Sequence, residues 1–200
     1  MKTKKGEKDK LRVSILESAI SYFKENGSGA SGISGIMKHA GLTTGALYSH
    51  FKSKDELFGE TICHELEKLE IQLFQIFRKE KKHALKVMIE LYFEKERLVE
   101  VGDGCVFTAL GSDMHRSKAA YRARYEEYTQ KVYQLFADSI QLQFPKESPE
   151  SCYEKAMVLY SGMVGAMTMA RTTKNLKVAH AILDAEKKHL IQSFVAKENQ

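Results

Sequence analysis

The chain has 200 residues, 43% hydrophobic and 28% charged, and its 31 Lys and Arg against 26 Asp and Glu give a formal net charge of +5. This excludes a disordered chain, which is poorer in apolar residues and more one-sided in charge, and it leaves room for one or two domains with a real core. Three cysteines cannot form a disulfide framework. No apolar signal segment opens the sequence, and its longest uncharged apolar stretch, fifteen residues from Ala156 to Ala170, falls short of the roughly 20 that span a bilayer, so a cytoplasmic, non-membrane protein is expected.

The chain opens on MKTKKGEKDKLR, six basic and two acidic residues that read as a mobile arm, there for solubility or to touch nucleic acid. Leu11, Ile15, Ala19 and Phe23, flanked by Leu16 and Ile20, then mark one helical face. A dense, turn-rich region follows, with six of the thirteen glycines between Gly27 and Gly45 and no acidic residue between Glu25 and Asp55. Ser31 is the expected N-cap of a short helix bearing Ile33, Ile36, Met37 and Ala40, and Gly41 is placed to end it in the left-handed conformation. Thr43 or Thr44 caps a second short helix bearing Ala46, Leu47, His50 and Phe51, and Ser53 caps a long third one. Later helical faces are carried by Phe58 to Phe77, Leu85 to Phe93, Tyr121 to Ile140, Tyr153 to Met167 and Leu176 to Phe194, with Pro145 and Pro149 marking one break. No stretch alternates with period two. The expectation is an all-α protein, with a three-helix domain over 1–52 and a larger helical domain over 53–200.

Two short helices joined by a tight turn containing Gly41 make a helix-turn-helix, whose second helix enters the major groove of DNA. The residues Ile15, Ala19, Phe23, Gly27, Ala30, Ile33, Ile36, Ala40-Gly41-Leu42, Gly45-Ala46-Leu47-Tyr48, His50-Phe51, Lys52-Ser53-Lys54 and Leu57-Phe58 resemble the N-terminal domain of the TetR family of bacterial transcriptional regulators. The resemblance covers about a quarter of the chain. It implies a homodimer that binds double-stranded DNA at a palindromic operator, as a repressor released by a small-molecule effector. DNA contacts are then expected from Ser31, Thr43, Thr44, Gly45, Tyr48, His50, Lys52 and Lys54, with Leu47 and Phe51 in the core. Gly32 and Gly35 depart from the family in the first motif helix, where each costs roughly 0.5–1 kcal/mol relative to alanine.

The glycines 27, 29 and 32 also satisfy G-x-G-x-x-G, but an amphipathic helix precedes them where a dinucleotide site needs a strand. In the second part, Phe93, Phe107, Tyr121, Tyr125, Met157 and Tyr160 are candidates to line an apolar effector pocket or an ordinary core. Cys105, after Gly104 and at an expected helix start, is a candidate thiol sensor or a small buried hydrophobe, and a redox regulator acting through it is the alternative reading. A helical binding protein without DNA recognition is another. Gly162, Gly165, Ala166, Leu183 and Leu190 are the expected dimer residues on two C-terminal helices, although the same residues could serve a contact within one chain. Glu186 and His189 form only one of the two E-x-x-H pairs that a di-iron bundle needs. No enzyme, cofactor or metal site is expected. The charge has an address: residues 1–54 carry 10 basic and 4 acidic side chains, whereas residues 55–200 carry 21 and 22.

Overall fold

The computed structural model describes residues 2–196. Among these it contains ten α-helices and no strand: α1 (Lys2–Ala30), α2 (Ile33–His39), α3 (Thr44–Tyr48), α4 (Lys54–Glu80), α5 (Ala84–Tyr92), α6 (Glu96–Val99), α7 (Val106–His115), α8 (Ala119–Gln143), α9 (Pro149–Arg171) and α10 (Leu176–Phe194). Among the described residues no helix is long and apolar enough to cross a membrane. The chain folds as two compact units that do not follow its linear order. Met1–Leu66 joins Val101–Glu126 in the first, and Glu67–Glu100 joins Glu127–Gln200 in the second.

In the first unit, Ile15, Leu16, Ala19, Ile20 and Phe23 are buried along α1 as their spacing requires. Phe23 meets Phe58 of α4 edge to face, with ring centroids 5.1 Å apart, and Lys24 reaches Glu65 at 2.5 Å. Ile36, Met37, Leu47, Phe51, Leu57 and Ile62 complete the core. The expected irregular arm is helical instead, because α1 runs back to Lys2. The physical reason is composition: residues 1–12 hold five lysines, which are good helix formers, and no proline. Gly27, at φ 72°, breaks the helix near its end.

In the second unit, Ser148 caps α9 by accepting the Ser151 N–H at 3.2 Å, with Pro149 in the first turn, where a missing N–H costs nothing. Asn175 caps α10 in the same way through the Lys177 N–H at 3.0 Å. These antiparallel helices pack on each other. Tyr160 lies 5.5 Å from Phe136 and 6.0 Å from Tyr133 between ring centroids. Arg171 donates to the Arg97 carbonyl at 2.7 Å, tying α9 to the short α6, which the sequence pattern did not indicate.

Candidate nucleic-acid interface

The helix-turn-helix is built by local backbone chemistry. Gly41 adopts φ 67°, the Leu42 N–H returns to the Met37 carbonyl at 2.8 Å, and the Gly41 N–H returns to Lys38 at 3.1 Å. This pair of bonds is the Schellman motif, which stops α2 and turns the chain toward α3 within four residues. Thr43 is the extended residue before α3, though its side chain makes no capping bond. Ser53 accepts the Glu56 N–H at 3.1 Å, and Glu56 accepts the Lys52 N–H at 2.6 Å, a capping-box variant that fixes where α4 begins.

On this frame α3 has two sides. Leu47 is fully buried and Phe51 nearly so, while Thr43, Thr44 and Gly45 are exposed and Tyr48 is 58% exposed. An exposed aromatic beside two hydroxyls and a glycine is a surface available to a partner rather than a packing surface. Lys52 is exposed as well. His50 is half-buried, and its pKa is held below the usual 6.5, chiefly by burial and then by the positive charges of Lys8 and Arg12. The neutral ring keeps one N–H to donate.

Two expected contacts have other tasks. Ser31 does not cap α2, whose cap is Gly32. It is fully buried and donates to the Gly27 carbonyl at 2.6 Å, because the break at Gly27 turns that carbonyl toward it. Lys54 donates to the carbonyls of Ser28 at 2.9 Å and Ser31 at 3.2 Å. Its ammonium thus holds the turn between α1 and α2 against the start of α4. Gly35 is also explained: a methyl group there would collide with the Tyr22 hydroxyl, so the helix penalty is exchanged for close approach to α1.

The effector candidates do not form one set. Phe107 and Tyr125 line a groove in the first unit, and Cys105 stands at the N-cap of α7. Tyr121 lies with its ring on Gly59. Phe93 and Tyr160 are core residues of the second unit, and Met157 is 37% exposed on α9. Of the dimer candidates, Leu183 and Leu190 are each 2% exposed within their own chain, and Gly162 faces Glu186 and Leu190 of α10. Gly162 and Leu190 serve the packing of α9 on α10, and Leu183 is buried within its own chain, because helical periodicity reports burial and not which chain covers it. Ala166 is half-buried, and Gly165 is exposed with open space beside it. The exposed apolar residues Val158, Met169 and Val178 of these two helices are not marked by helical spacing, and Leu176, which spacing assigns to the buried face of α10, is 56% exposed because it is the first residue of the helix.

Residues 15–61 match the family model described as "Bacterial regulatory proteins, tetR family". The N-terminal domain is therefore of the TetR-family type. The HTH-type transcriptional regulator AcrR of Shigella flexneri is 42% identical over 56 residues. The match covers 28% of this chain and 26% of that protein, so likeness in sequence is confined to the N-terminal region. The TetR fold extends further. The reduced form of NemR from E. coli superposes with a TM-score of 0.78 at 15% identity, covering 94% of this chain and 98% of the other. A TetR-family regulator from Cytophaga hutchinsonii gives 0.77 at 18% identity over 96% and 98%. FadR from Bacillus subtilis, solved with stearoyl-CoA, gives 0.68 at 16% identity over 90% and 97%. The TetR-like arrangement of all-α elements, a helix-turn-helix followed by a larger helical part, therefore holds for nearly the whole chain.

Proposed function

We propose that the protein is a DNA-binding transcriptional repressor that acts in the cytoplasm as a homodimer on a palindromic operator and is released by a small-molecule effector. The observation that carries this reading is the exposed side of α3, where Thr43, Thr44, Gly45 and Tyr48 stand on buried Leu47 and Phe51. The hydroxyls of Thr43 and Thr44 suit base edges or phosphate, and Gly45 lets the backbone approach the groove. Tyr48, His50 and Lys52 flank them as donors to phosphate oxygens. Ser31 and Lys54 support this surface from behind by bracing the turn before α2.

Symmetric half-sites need a symmetric dimer. The exposed sides of α9 and α10 suit that role, with Val158, Ser161, Gly165 and Met169 on one helix and Val178, Ala181 and Ala185 on the other. All seven are uncharged, and the small ones permit close approach of a second copy.

The test is retention of genomic DNA fragments by the full chain, followed by Tyr48→Ala. Selective retention that falls at least tenfold in the variant, with unchanged folding, supports the reading. Equal retention of all fragments, or indifference to Tyr48→Ala, contradicts it.

A further inference from the structure

The groove between α7 and α8 in the first unit has a volume of about 540 Å³. Phe107, Met114 and Tyr125 supply its apolar surface, and His115, Arg122 and Glu126 supply its polar groups. Burial pushes the Tyr125 phenol up to about 12, so it stays protonated and neutral. The cations around it differ in availability. Arg116 is paired with Asp113 at 2.9 Å, Lys118 with Asp55 at 3.6 Å and Arg124 with Glu60 at 2.5 Å, whereas Arg122 has no acidic partner among the described residues. One uncommitted guanidinium and the ring of His115, set against apolar walls, match a ligand with one anionic head and an apolar body. Glu126, an acid in the same lining, disfavours a polyanion.

The groove uses only one side of the first two turns of α8. From the other side of the same turns, the Tyr121 ring rests on Gly59 of α4, and Arg124 grips Glu60. Glu60 also receives Arg12 of α1 at 3.4 Å, and the Arg12 guanidinium lies 4.8 Å from the centre of the Phe51 ring. Phe51 donates its N–H to the Leu47 carbonyl at 2.8 Å, closing the end of α3. A continuous series of contacts thus runs from the groove-lining segment of α8 through Glu60 and Arg12 to the recognition helix. Glu60 is the shared point: its carboxylate is held below the usual range by both guanidiniums against the opposing effect of burial.

We propose that the α7–α8 groove binds an organic monoanion with an apolar body, and that its occupancy is relayed to α3 through Glu60. This deepens the proposed function by giving the effector a site, a chemical class and a route. A contact series becomes a coupling route only if both ends bias it, and the test reads both ends without DNA. Calorimetric titration of the full chain with octanoate and octanol should show one octanoate site per chain, with octanol at least tenfold weaker. Arg122→Gln should remove that preference. Equal binding of acid and alcohol, no octanoate binding, or an unaffected Arg122→Gln variant overturns the site. Hydrogen exchange across 44–51 should change at least threefold with octanoate in the native chain. It should not change in Glu60→Gln, nor in Arg124→Gln, which cuts the same route from its more exposed end. An unaltered octanoate response in both variants overturns the relay. Failure to bind any operator would refute the proposed function and leave these readouts intact.

Discussion

Lys54→Met separates a residue that braces the DNA-binding surface from one that touches DNA. The substitution keeps the aliphatic stem and removes the ammonium that donates to the Ser28 and Ser31 carbonyls at 2.9 and 3.2 Å. Hydrogen bonds to a charged group contribute roughly 1.5–3 kcal/mol each when well buried. Lys54 is half-buried and water can reach part of the turn, so the two together are worth about 1–2 kcal/mol. For a chain of this length that corresponds to a melting temperature lower by about 2–8 °C. The turn they brace carries buried Ser31 and precedes α2, so operator affinity should also fall. The assay is the dependence of log K on log salt, measured by fluorescence anisotropy. Each lost phosphate contact lowers the slope by about 0.9, or about 1.8 for the two copies in a dimer. A bracing residue leaves the slope unchanged while affinity and melting temperature both fall. A slope reduced by about 1.8 with an unchanged melting temperature would refute the bracing role and make Lys54 a phosphate contact.

Four further outcomes follow from the same geometry. Gly59→Ala places a methyl group 2.5 Å from three ring atoms of Tyr121, including the one nearest its backbone, so it should destabilise the chain by about 1–3 kcal/mol in chemical denaturation; a neutral result would mean α8 is not seated there. Gly165→Arg has open space within its own chain, so it should leave the fold intact but shift sedimentation from dimer to monomer, and a persisting dimer would exclude this face. His50 has its folded pKa below the unfolded 6.5, so the unfolded chain takes the proton first and stability, full above pH 6.5, declines as pH falls toward the folded pKa. An NMR titration midpoint at or above 6.5 for His50 would contradict this. A maleimide should label half-buried Cys105 well before Cys63 and Cys152, which are 2% and 1% exposed; equal rates would contradict the burial pattern.

The long helices were legible because periodicity and caps are local. Ile15 to Phe23 repeat at helical spacing, Pro145 and Pro149 mark the break before α9, and Gly41 sits where only a left-handed residue lets α2 turn into α3. Buried Leu47 and Phe51 followed from the same spacing, as did the position of Cys105 at the start of α7. What was not legible depends on distant partners. Lys54 meets carbonyls 23 and 26 residues away, and Glu60 joins residues 48 and 64 away. No spacing rule connects those positions. Ser31 looked like a cap because of its residue type, but the break at Gly27 draws its hydroxyl backward and leaves Gly32 at the cap. The spacing of Leu183 and Leu190 marks them as buried but does not say that their own chain would bury them. The four residues of α6 are too few to display a period.

Symmetric DNA binding through α3 leaves a definite mark on the DNA backbone. Hydroxyl-radical footprinting of a selected fragment with the full chain tests it most directly. Two protected half-sites related by a two-fold axis are expected, one or more helical turns apart (multiples of about 34–36 Å), with protection fading steeply as salt rises. A single asymmetric footprint, or none at any protein concentration that leaves the chain folded, would contradict it.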